Sequence, residues 1–307
     1  MIEQRTCGSP GRSLTWWEQV ELPFQCRDGE LLCFSGSAPF FARNCIPTIH
    51  DAAVFLQPHA YSRKFVAWYR MLFRRLSRRS PFILTVSKSA ASDLAQFLPG
   101  SEFRIVYNAA EHIVQIGPDK SILKQHQLLG RRYILAVGSL NPTKNFNVLI
   151  QAYRKAGFDA NVPLVIVGAV NGSVFNGSGV STVDESIIWA GGVSDAQLRT
   201  LYENATLFAF PSLYEGFGIP PLESMTCGCP VVASSASSIP EICGDAALYF
   251  PPLDIAAVAA SLQRVLNDEA LRQELISKGY QRSECFSWQH SAEQLRSCLI
   301  EANYLPA

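Results

Sequence analysis

The stretch Phe210-Pro-Ser-Leu-Tyr-Glu215-Gly-Phe-Gly-Ile-Pro-Pro-Leu-Glu223 decides the fold of this chain. An apolar strand over residues 207–210 ends there. A Gly-x-Gly turn follows, and a helix over residues 219–227 then begins with two prolines, which the first turn of a helix tolerates. A glycine turn between a buried strand and a helix is typical of parallel α/β sheets. The free N–H groups at the start of such a helix favour an anion.

The same alternation continues on both sides of this stretch and predicts an α/β protein with parallel sheets. In the first 110 residues we expect strands at 30–35, 47–50, 82–86 and 103–107 and a helix over 61–79. Further along we expect strands at 133–137, 163–167, 186–190, 207–210, 230–233 and 247–250, separated by helices or by loops such as 168–179. The first 28 residues are expected to be irregular.

Charge and periodicity divide the chain into two domains. Residues 1–110 hold 13 Lys and Arg against 8 Asp and Glu, whereas residues 111–307 hold 13 against 18, so the two halves cancel to a net charge of zero. Residues 111–132 have weak periodicity and contain Gly117-Pro118, which is typical of a linker. We therefore expect domains at 1–110 and 133–286, joined by that linker.

Composition excludes several classes of protein. With 307 residues, 48% hydrophobic and 17% charged, the chain is expected to be globular. Zero net charge argues against a nucleic-acid partner. The chain has no apolar run long enough for a transmembrane helix and no apolar signal sequence, so we expect a cytoplasmic protein. Nine scattered cysteines without a C-x-x-C pair predict reduced thiols, with neither a zinc site nor a disulfide framework.

Ligands of open parallel sheets bind beyond the carboxyl ends of the strands, which points to the loop after residue 210. Glu215 precedes a turn in which Gly216 and Gly218 let a ligand approach the backbone closely, and Glu223 follows two helical turns later. An ionised carboxylate only accepts hydrogen bonds, so Glu215 suits the hydroxyls of a sugar and Glu223 suits a vicinal diol such as a ribose. The alternative is that both are ordinary surface acids.

The whole string resembles the signature of retaining glycosyltransferases of family 4. The resemblance rests on Glu215, Glu223 and the glycine turn between them, and on four further segments. These are Val137-Gly-Ser-Leu-Asn-Pro-Thr-Lys144-Asn145, Cys227-Gly-Cys-Pro-Val-Val232, Ile239-Pro-Glu241 and Gly244-Asp-Ala-Ala247. It covers residues 16–302 and implies the GT-B architecture, in which two Rossmann-like domains face each other across a cleft. It also implies that the last helix, within 287–307, packs back on the first domain.

The resemblance implies a donor-binding site in the second domain. Its donor-binding residues would be Gly138, Ser139, Lys144, Asn145, Gly216, Phe217, Gly218 and Glu223. Lys144 would contact the diphosphate of the donor, because an ammonium group is a point charge suited to phosphate, and Glu215 would be catalytic. Family members commonly carry arginine where this chain has Ser139 or Thr143. Without such a role, Lys144 would be a solvated lysine at a helix start.

In the first domain the resemblance places His50 near the anomeric carbon, where it would orient the reacting groups, and Asp51 on the acceptor side. Ser87 and Asn108 also match strand-end positions that line the cleft. The simpler interpretations are a strand-end histidine bonded to backbone for His50 and a helix cap for Ser87.

The expected chemistry needs neither a metal nor a cofactor. None of the ten Asp residues has an Asp two positions further on, so the metal-chelating pair of the other large glycosyltransferase architecture is absent from the sequence. Lys144 and helix-terminal N–H groups would meet the diphosphate charge instead.

Residues 63–79 combine seven Lys and Arg with several aromatic residues. Such a helix can lie on an anionic membrane surface, which would suit a lipid-linked acceptor and a peripheral position on the cytoplasmic face. The alternative is an amphipathic helix that packs its apolar stripe on the sheet and leaves the arginines in solvent.

Against the family pattern, the first domain is expected to lack about its first 70–90 residues, which a second chain could supply. Two functions therefore stay open. One is retaining transfer of a hexose from a nucleotide diphosphate sugar to a polysaccharide or a lipid-linked oligosaccharide, by front-face displacement. The other is a nucleotide-sugar-binding remnant or partner subunit without turnover. Mannose on GDP and glucose or N-acetylglucosamine on UDP all fit. A GT-B epimerase or phosphorylase is less favoured.

Overall fold

The computed structural model describes residues 11, 13–26, 29–42, 44–168 and 184–305. The chain divides into two compact units, Met1–Val106 and Tyr107–Ala307. Most of the loop expected over 168–179 lies outside the described residues.

The first unit is built on four short parallel strands. Strand β1 pairs with β2 and β3 pairs with β4, and a parallel bridge between Thr48 and Leu84 joins the two pairs. The strands are β1 (Leu31–Cys33), β2 (Cys45–Pro47), β3 (Ile83–Thr85) and β4 (Phe103–Ile105). Strands β2 and β3 are buried along their whole length, as their apolar sequence predicts.

Helices of the first unit follow the strands. They are α1 (Leu14–Trp16), α2 (Leu22–Gln25), α3 (Ala53–Leu56), α4 (Arg63–Ser77) and α5 (Lys88–Phe97). Helix α4 begins after Ser62, whose hydroxyl accepts a hydrogen bond from the backbone N–H of Phe65 at 3.3 Å. Its apolar stripe is buried, at Val66, Leu72, Phe73 and Leu76.

The beginning of the chain is helical, whereas the sequence predicted an irregular segment. Between α1 and α2 the backbone continues through a π-helical turn, Trp17–Glu21. Gln19 accounts for this order, because its side chain donates to the carbonyl of Ala38 (3.1 Å) and accepts from the N–H of Phe40 (2.8 Å). Long-range hydrogen bonds of this kind leave no periodic pattern in the sequence.

The second unit contains a six-stranded parallel sheet in the order β10-β9-β8-β5-β6-β7. Its strands are β5 (Ile134–Val137), β6 (Leu164–Val167), β7 (Ile187–Gly191), β8 (Leu207–Phe210), β9 (Val231–Ser234) and β10 (Ala247–Phe250). All six strands match predicted ones to within one or two residues. Two buried apolar clusters cover the sheet and consist of side chains from its strands and helices.

Helices connect these strands and close the chain. They are α6 (His112–Gln115), α7 (Ser121–Gln125), α8 (Phe146–Lys155), α9 (Asp195–Asn204), α10 (Ile219–Thr226), α11 (Ile239–Cys243), α12 (Ile255–Asn267), α13 (Glu269–Ser283) and α14 (Trp288–Glu301). Ser194 and Gln197 form the predicted capping box of α9. Helix α14 is tied to the start of this unit, since Ser291 Oγ donates to the carbonyl of Tyr107 at 2.6 Å. Its packing against the first unit stays a prediction.

Residues 111–132 differ from the linker that weak periodicity suggested. They contain α6 and α7, and their apolar side chains belong to one of the two core clusters of the second unit. The buried members are Ile113, Ile122, Leu123 and Leu128. Helices of four and five residues are too short to show a 3.6-residue period, so their apolar positions resemble those of a loop.

Candidate functional site

The strand order of the second unit marks where a ligand would bind. The chain runs from β5 outward to β7 and then returns to place β8 on the other side of β5. This is the doubly wound order, in which ligands bind beyond the carboxyl ends of the two strands that flank the reversal. The loops that follow β5 and β8 therefore define the candidate site, as the sequence predicted.

The loop after β5 is shaped by two asparagines. Asn141 Oδ1 accepts from both the N–H (2.9 Å) and the hydroxyl (3.0 Å) of Thr143. Asn145 adopts a left-handed conformation, with φ of 56°, which asparagine tolerates better than most residues. Its amide donates to the carbonyl of Pro211 at 3.1 Å and so joins this loop to the end of β8.

Lys144 and Glu215, predicted to lie in one site, are in direct contact. Lys144 Nζ lies 2.6 Å from Glu215 Oε1, and the two side chains are 20% and 13% exposed. Gly138 makes room for the lysine, since a Cβ atom at this glycine would lie 3.3 Å from Lys144 Cγ. The predicted phosphate ligand is therefore already neutralised by the predicted catalytic carboxylate.

A second glycine, which the sequence analysis did not single out, completes this corner. Gly168 follows β6, and a Cβ atom there would lie 2.0 Å from the carbonyl oxygen of Gly138. No side chain fits at that distance. The close approach of two strand-end loops thus depends on Gly168, which its place at the end of an apolar strand could have indicated.

The glycine turn after Glu215 is held from the β9 side by two serines that the sequence analysis did not single out. Ser237 Oγ donates to the carbonyl of Glu215 at 2.6 Å. Ser238 Oγ lies 2.9 Å from the carbonyl of Glu215 and 2.8 Å from that of Phe217. Gly218 then adopts φ of 113°, which permits the sharp entry into α10.

Phe217, predicted to bind the donor, is instead a packing residue in this structure. Its side chain is buried, and its ring lies 5.6 Å from that of Phe286 and 6.4 Å from that of Tyr107. The Tyr107 hydroxyl donates to Glu241 at 3.1 Å. Burial, followed by the Glu241 carboxylate, raises the pKa of Tyr107 to about 12, so this tyrosine is a neutral donor at physiological pH.

Glu223 is buried, with 7% of its surface exposed, and both of its oxygens have partners. The Tyr202 hydroxyl donates to Oε2 at 3.1 Å, and His112 Nε2 lies 3.2 Å from Oε1. Burial raises the pKa of the Glu223 carboxyl above its ordinary value, although the hydrogen bond from Tyr202 and the nearby His112 partly oppose the rise. The surface-acid alternative for Glu223 is therefore wrong.

His112 and Tyr202 are the partners that sequence reasoning missed. His112 lies in the segment interpreted as a linker, and Tyr202 was assigned to the apolar face of α9. A tyrosine on an apolar face often carries its hydroxyl to a buried acceptor, so Tyr202 could have been found in that way. No pattern in the sequence indicates His112.

In the first unit, His50 and Asp51 follow β2 and line a cavity of about 190 Å³ together with aromatic side chains of α4. His50 Nε2 lies 2.9 Å from the carbonyl of Phe34, so this nitrogen carries a hydrogen and Nδ1 is the basic nitrogen of the neutral ring. Asp51 Oδ1 accepts from the N–H of Ala53 at 2.7 Å. The backbone-bonded interpretation of His50 is thus correct, and its role toward a donor stays a prediction.

The remaining predicted positions differ in their surroundings. Ser87 is fully buried and caps α5, with its hydroxyl accepting from the N–H of Ala90 at 2.9 Å. The simpler interpretation of Ser87 as a cap is therefore confirmed. Ser139 is exposed beside Gly138, and Asn108 is partly exposed in the second unit. Their ligand roles stay predictions.

Two searches of the described residues returned nothing. Across 13–168 and 184–305, with the short gaps noted above, no group of three or more His, Cys, Asp or Glu side chains is arranged to hold a metal ion. Within the same part of the chain, no helix is long and apolar enough to cross a membrane.

The doubly wound sheet, the glycine turn and the Lys144–Glu215 pair define a Rossmann-like α/β protein with a polar site at its strand reversal. Residues 119–282 match the family model described as glycosyl transferases group 1. The chain belongs to this family.

Two relatives from Escherichia coli carry mannosyltransferase names. The O-antigen chain mannosyltransferase B is 30% identical over 277 residues, which cover 83% of this chain and 70% of that protein. The serotype-specific mannosyltransferase WbdA is 30% identical over 236 residues, which cover 70% of this chain but 28% of that protein. The chain thus corresponds to a part of each relative.

The fold matches solved GT-B glycosyltransferases. HepE from Anabaena, solved in complex with UDP and glucose, superimposes with a TM-score of 0.66 at 22% identity, over 85% of this chain and 72% of that one. The predicted α/β fold with parallel sheets is therefore confirmed.

Proposed function

We propose that this chain transfers a hexose from a nucleotide diphosphate sugar to a hydroxyl of a glycan or lipid-linked oligosaccharide, with retention at the anomeric carbon. The Lys144–Glu215 pair at the strand reversal carries the proposal, because it places a cation for the diphosphate against a carboxylate for the sugar. Mannose is the proposed sugar, since two relatives that match most of this chain are named mannosyltransferases. Assignment to family 4 and a shortened first domain stay predictions.

The residues of the second unit divide the work of binding the donor. Lys144 exchanges Glu215 for a phosphate oxygen, with which its ammonium group makes a charge-assisted hydrogen bond. Glu215, released from the lysine, accepts hydrogen bonds from hydroxyls of the sugar. Glu223 retains the acceptor positions that its two protein partners leave, and these take the ribose diol. The N–H groups at the start of α10 add positive potential near the diphosphate.

The residues of the first unit serve the acceptor side of this proposal. His50 and Asp51 line a small cavity and together offer a basic nitrogen and a carboxylate. A neutral Nδ1 can accept a proton from an acceptor hydroxyl or orient it by hydrogen bonding. A front-face displacement needs no enzymatic nucleophile, so this role is one of orientation.

A lipid-linked acceptor would bring the chain to an anionic membrane surface, and α4 offers a face for it. Arginines of α4 and residues around them line a groove of about 690 Å³. Its lining residues are Phe40, Ala67, Arg70, Met71, Arg74, Arg75, Arg78 and Arg79. Because the apolar stripe of α4 is buried, the proposed contact is electrostatic and uses the exposed Arg74, Arg78 and Arg79.

The experiment is calorimetric titration of the chain with GDP-mannose and UDP-glucose, followed by release of nucleotide from the sugar. We expect one of the two donors to bind, Glu215→Ala to abolish release, and Glu274→Ala to change neither. Glu274 is a suitable control because it forms an exposed ion pair with Lys278 at 2.8 Å on the surface of α13. Binding without release from the unaltered chain would support the nucleotide-sugar-binding subunit instead, and loss of neither property in Glu215→Ala would refute the site.

A further inference from the structure

We propose that His112 is a positioning residue that holds the Glu223 carboxylate ready for the ribose of the donor. The inference rests on the proposed function, which assigns the ribose to Glu223, and extends it to a segment outside the predicted site. His112 Nε2 lies 3.2 Å from Glu223 Oε1.

The two partners of Glu223 fix its orientation. Tyr202 donates to Oε2 and His112 contacts Oε1, so the plane of the carboxylate is held at both oxygens. An ionised carboxylate has about four acceptor positions. Two of them stay open to hydroxyls of a ligand, and the two hydroxyls of a ribose form a vicinal pair.

The two partners differ in what a ligand can reach. Tyr202 is fully buried, so its hydroxyl is a fixed part of the interior. The His112 side chain is 40% exposed, against 10% for that of Glu223. His112 therefore covers the buried carboxylate from the solvent side, where an incoming nucleotide meets it first.

The short helix that carries His112 is held in place from several sides. A helix of four residues is not stable alone, because forming its first turn costs more than its hydrogen bonds return. Ile113 anchors α6 in the core, and Arg199 Nη1 donates to the carbonyls of Val114 (2.7 Å) and Ile116 (2.6 Å). The Glu111 carboxylate in turn accepts from the N–H of Trp288 at 3.0 Å. Four elements thus determine where His112 lies.

Charge gives His112 a second effect on Glu223. Burial favours the protonated carboxyl, and Asp195 adds repulsion, whereas Tyr202 and His112 favour the ionised form. Without His112, Glu223 loses one of the two groups that keep it ionised and oriented. A protonated or rotated carboxyl would present a hydrogen to one ribose hydroxyl and accept from the ribose less well.

The test compares ribose with deoxyribose in a set of variants. GDP, UDP and their 2′-deoxy forms are titrated into the whole chain and into His112→Ala, His112→Gln, Glu223→Gln and His290→Ala. For the nucleotide that binds, we expect the unaltered chain to prefer ribose by roughly tenfold, as for one hydrogen bond to a charged group. The preference should fall to about twofold or less in His112→Ala and Glu223→Gln. His112→Gln should restore it, because its amide N–H replaces Nε2–H, and His290→Ala, an exposed histidine of α14, should keep it.

The outcomes separate the inference from the function on which it rests. If the unaltered chain binds ribose and deoxyribose nucleotides alike, the ribose role of Glu223 is wrong and the inference fails with it. If Glu223→Gln loses the preference but His112→Ala keeps it, His112 does not position the carboxylate. If His112→Ala weakens both nucleotides by the same factor, its role is structural and the proposal is overturned. Thermal melting of each variant shows that it is folded.

Discussion

At the scale of single residues, the candidate site pairs groups that a ligand would separate. Lys144 and Glu215 neutralise each other at 2.6 Å, so the empty site carries little net charge at this point. A donor diphosphate offers the lysine two charges in place of one. Binding then releases Glu215 toward the sugar, which couples recognition of the phosphate to recognition of the sugar.

Lys144→Ala removes the charge that meets the diphosphate. We expect it to weaken the binding of GDP or UDP by about 10- to 100-fold, the usual worth of a hydrogen bond between charged groups. Isothermal titration at fixed salt measures the change. Lys278→Ala, which removes an exposed lysine from an ion pair on α13, is the matched control and should leave the affinity unchanged. Equal affinities for Lys144→Ala and the unaltered chain would remove this lysine from the site.

Glu223→Gln tests the buried carboxyl through stability. Burial raises the pKa of this carboxyl in the folded protein, so folding favours its protonated form and the cost of its charge grows as the pH rises above the unfolded value. Glutamine carries no charge at any pH. We therefore expect the melting temperature of Glu223→Gln, relative to the unaltered chain, to be higher at pH 8 than at pH 5.

Glu274→Gln provides the baseline for this comparison, because Glu274 is exposed on α13. Its difference from the unaltered chain should change little over the same pH range. A larger relative melting temperature for Glu223→Gln at pH 5 than at pH 8 would contradict the assignment of a raised pKa.

At the scale of secondary-structure elements, the site depends on how closely strand ends approach. Gly168→Ala would place a methyl group 2.0 Å from the carbonyl oxygen of Gly138, so the loops after β5 and β6 must separate. Overpacking of this kind costs about 1–3 kcal/mol. We expect a lower melting temperature and weaker nucleotide binding.

Gly192→Ala is the control for that substitution, since a Cβ atom at Gly192 meets nothing within 4 Å. It follows β7, as Gly168 follows β6. If both alanine variants melt at the same temperature as the unaltered chain, the close approach at Gly168 does not limit the fold.

Helix α4 carries the proposed membrane contact. We expect the chain to bind vesicles that contain phosphatidylglycerol and to ignore pure phosphatidylcholine, with binding that weakens as salt increases. The triple variant Arg74→Glu, Arg78→Glu and Arg79→Glu should bind at least about tenfold more weakly, because each basic residue near an anionic surface contributes about 1 kcal/mol. Sedimentation with vesicles measures the bound fraction.

The matched control reverses three exposed lysines of the second unit, Lys120→Glu, Lys124→Glu and Lys155→Glu, and so changes the net charge equally. It should retain most of the binding. If both triple variants lose binding to the same extent, net charge and not the α4 face determines it.

Sequence patterns predicted those elements and site residues whose chemistry is local. The strands of the doubly wound sheet, the capping box of α9 and the glycine turn each follow from neighbouring residues. Contacts made over long sequence distances were missed. His112 reaches Glu223 across 111 positions of sequence, and Gln19 orders the first helical segment through hydrogen bonds to a distant loop. Such pairings arise from packing and leave no period or motif to find.

At the scale of the whole molecule, the chain joins two units of opposite charge. The first 110 residues carry an excess of basic groups and the rest an excess of acidic groups, so a net charge of zero conceals two different surfaces. The basic surface suits an anionic membrane, and the acidic unit still binds an anionic donor because Lys144 and the start of α10 supply local positive potential. The proposed enzyme thus separates acceptor delivery from donor binding.

The central claim is that a nucleotide sugar binds between the loops after β5 and β8. Titration calorimetry of the chain and of Lys144→Ala with GDP-mannose and UDP-glucose tests it most directly. The account predicts saturable binding of at least one donor, weakened about 10- to 100-fold in Lys144→Ala. Saturable binding of equal strength in both proteins, or no binding of either donor, would contradict it.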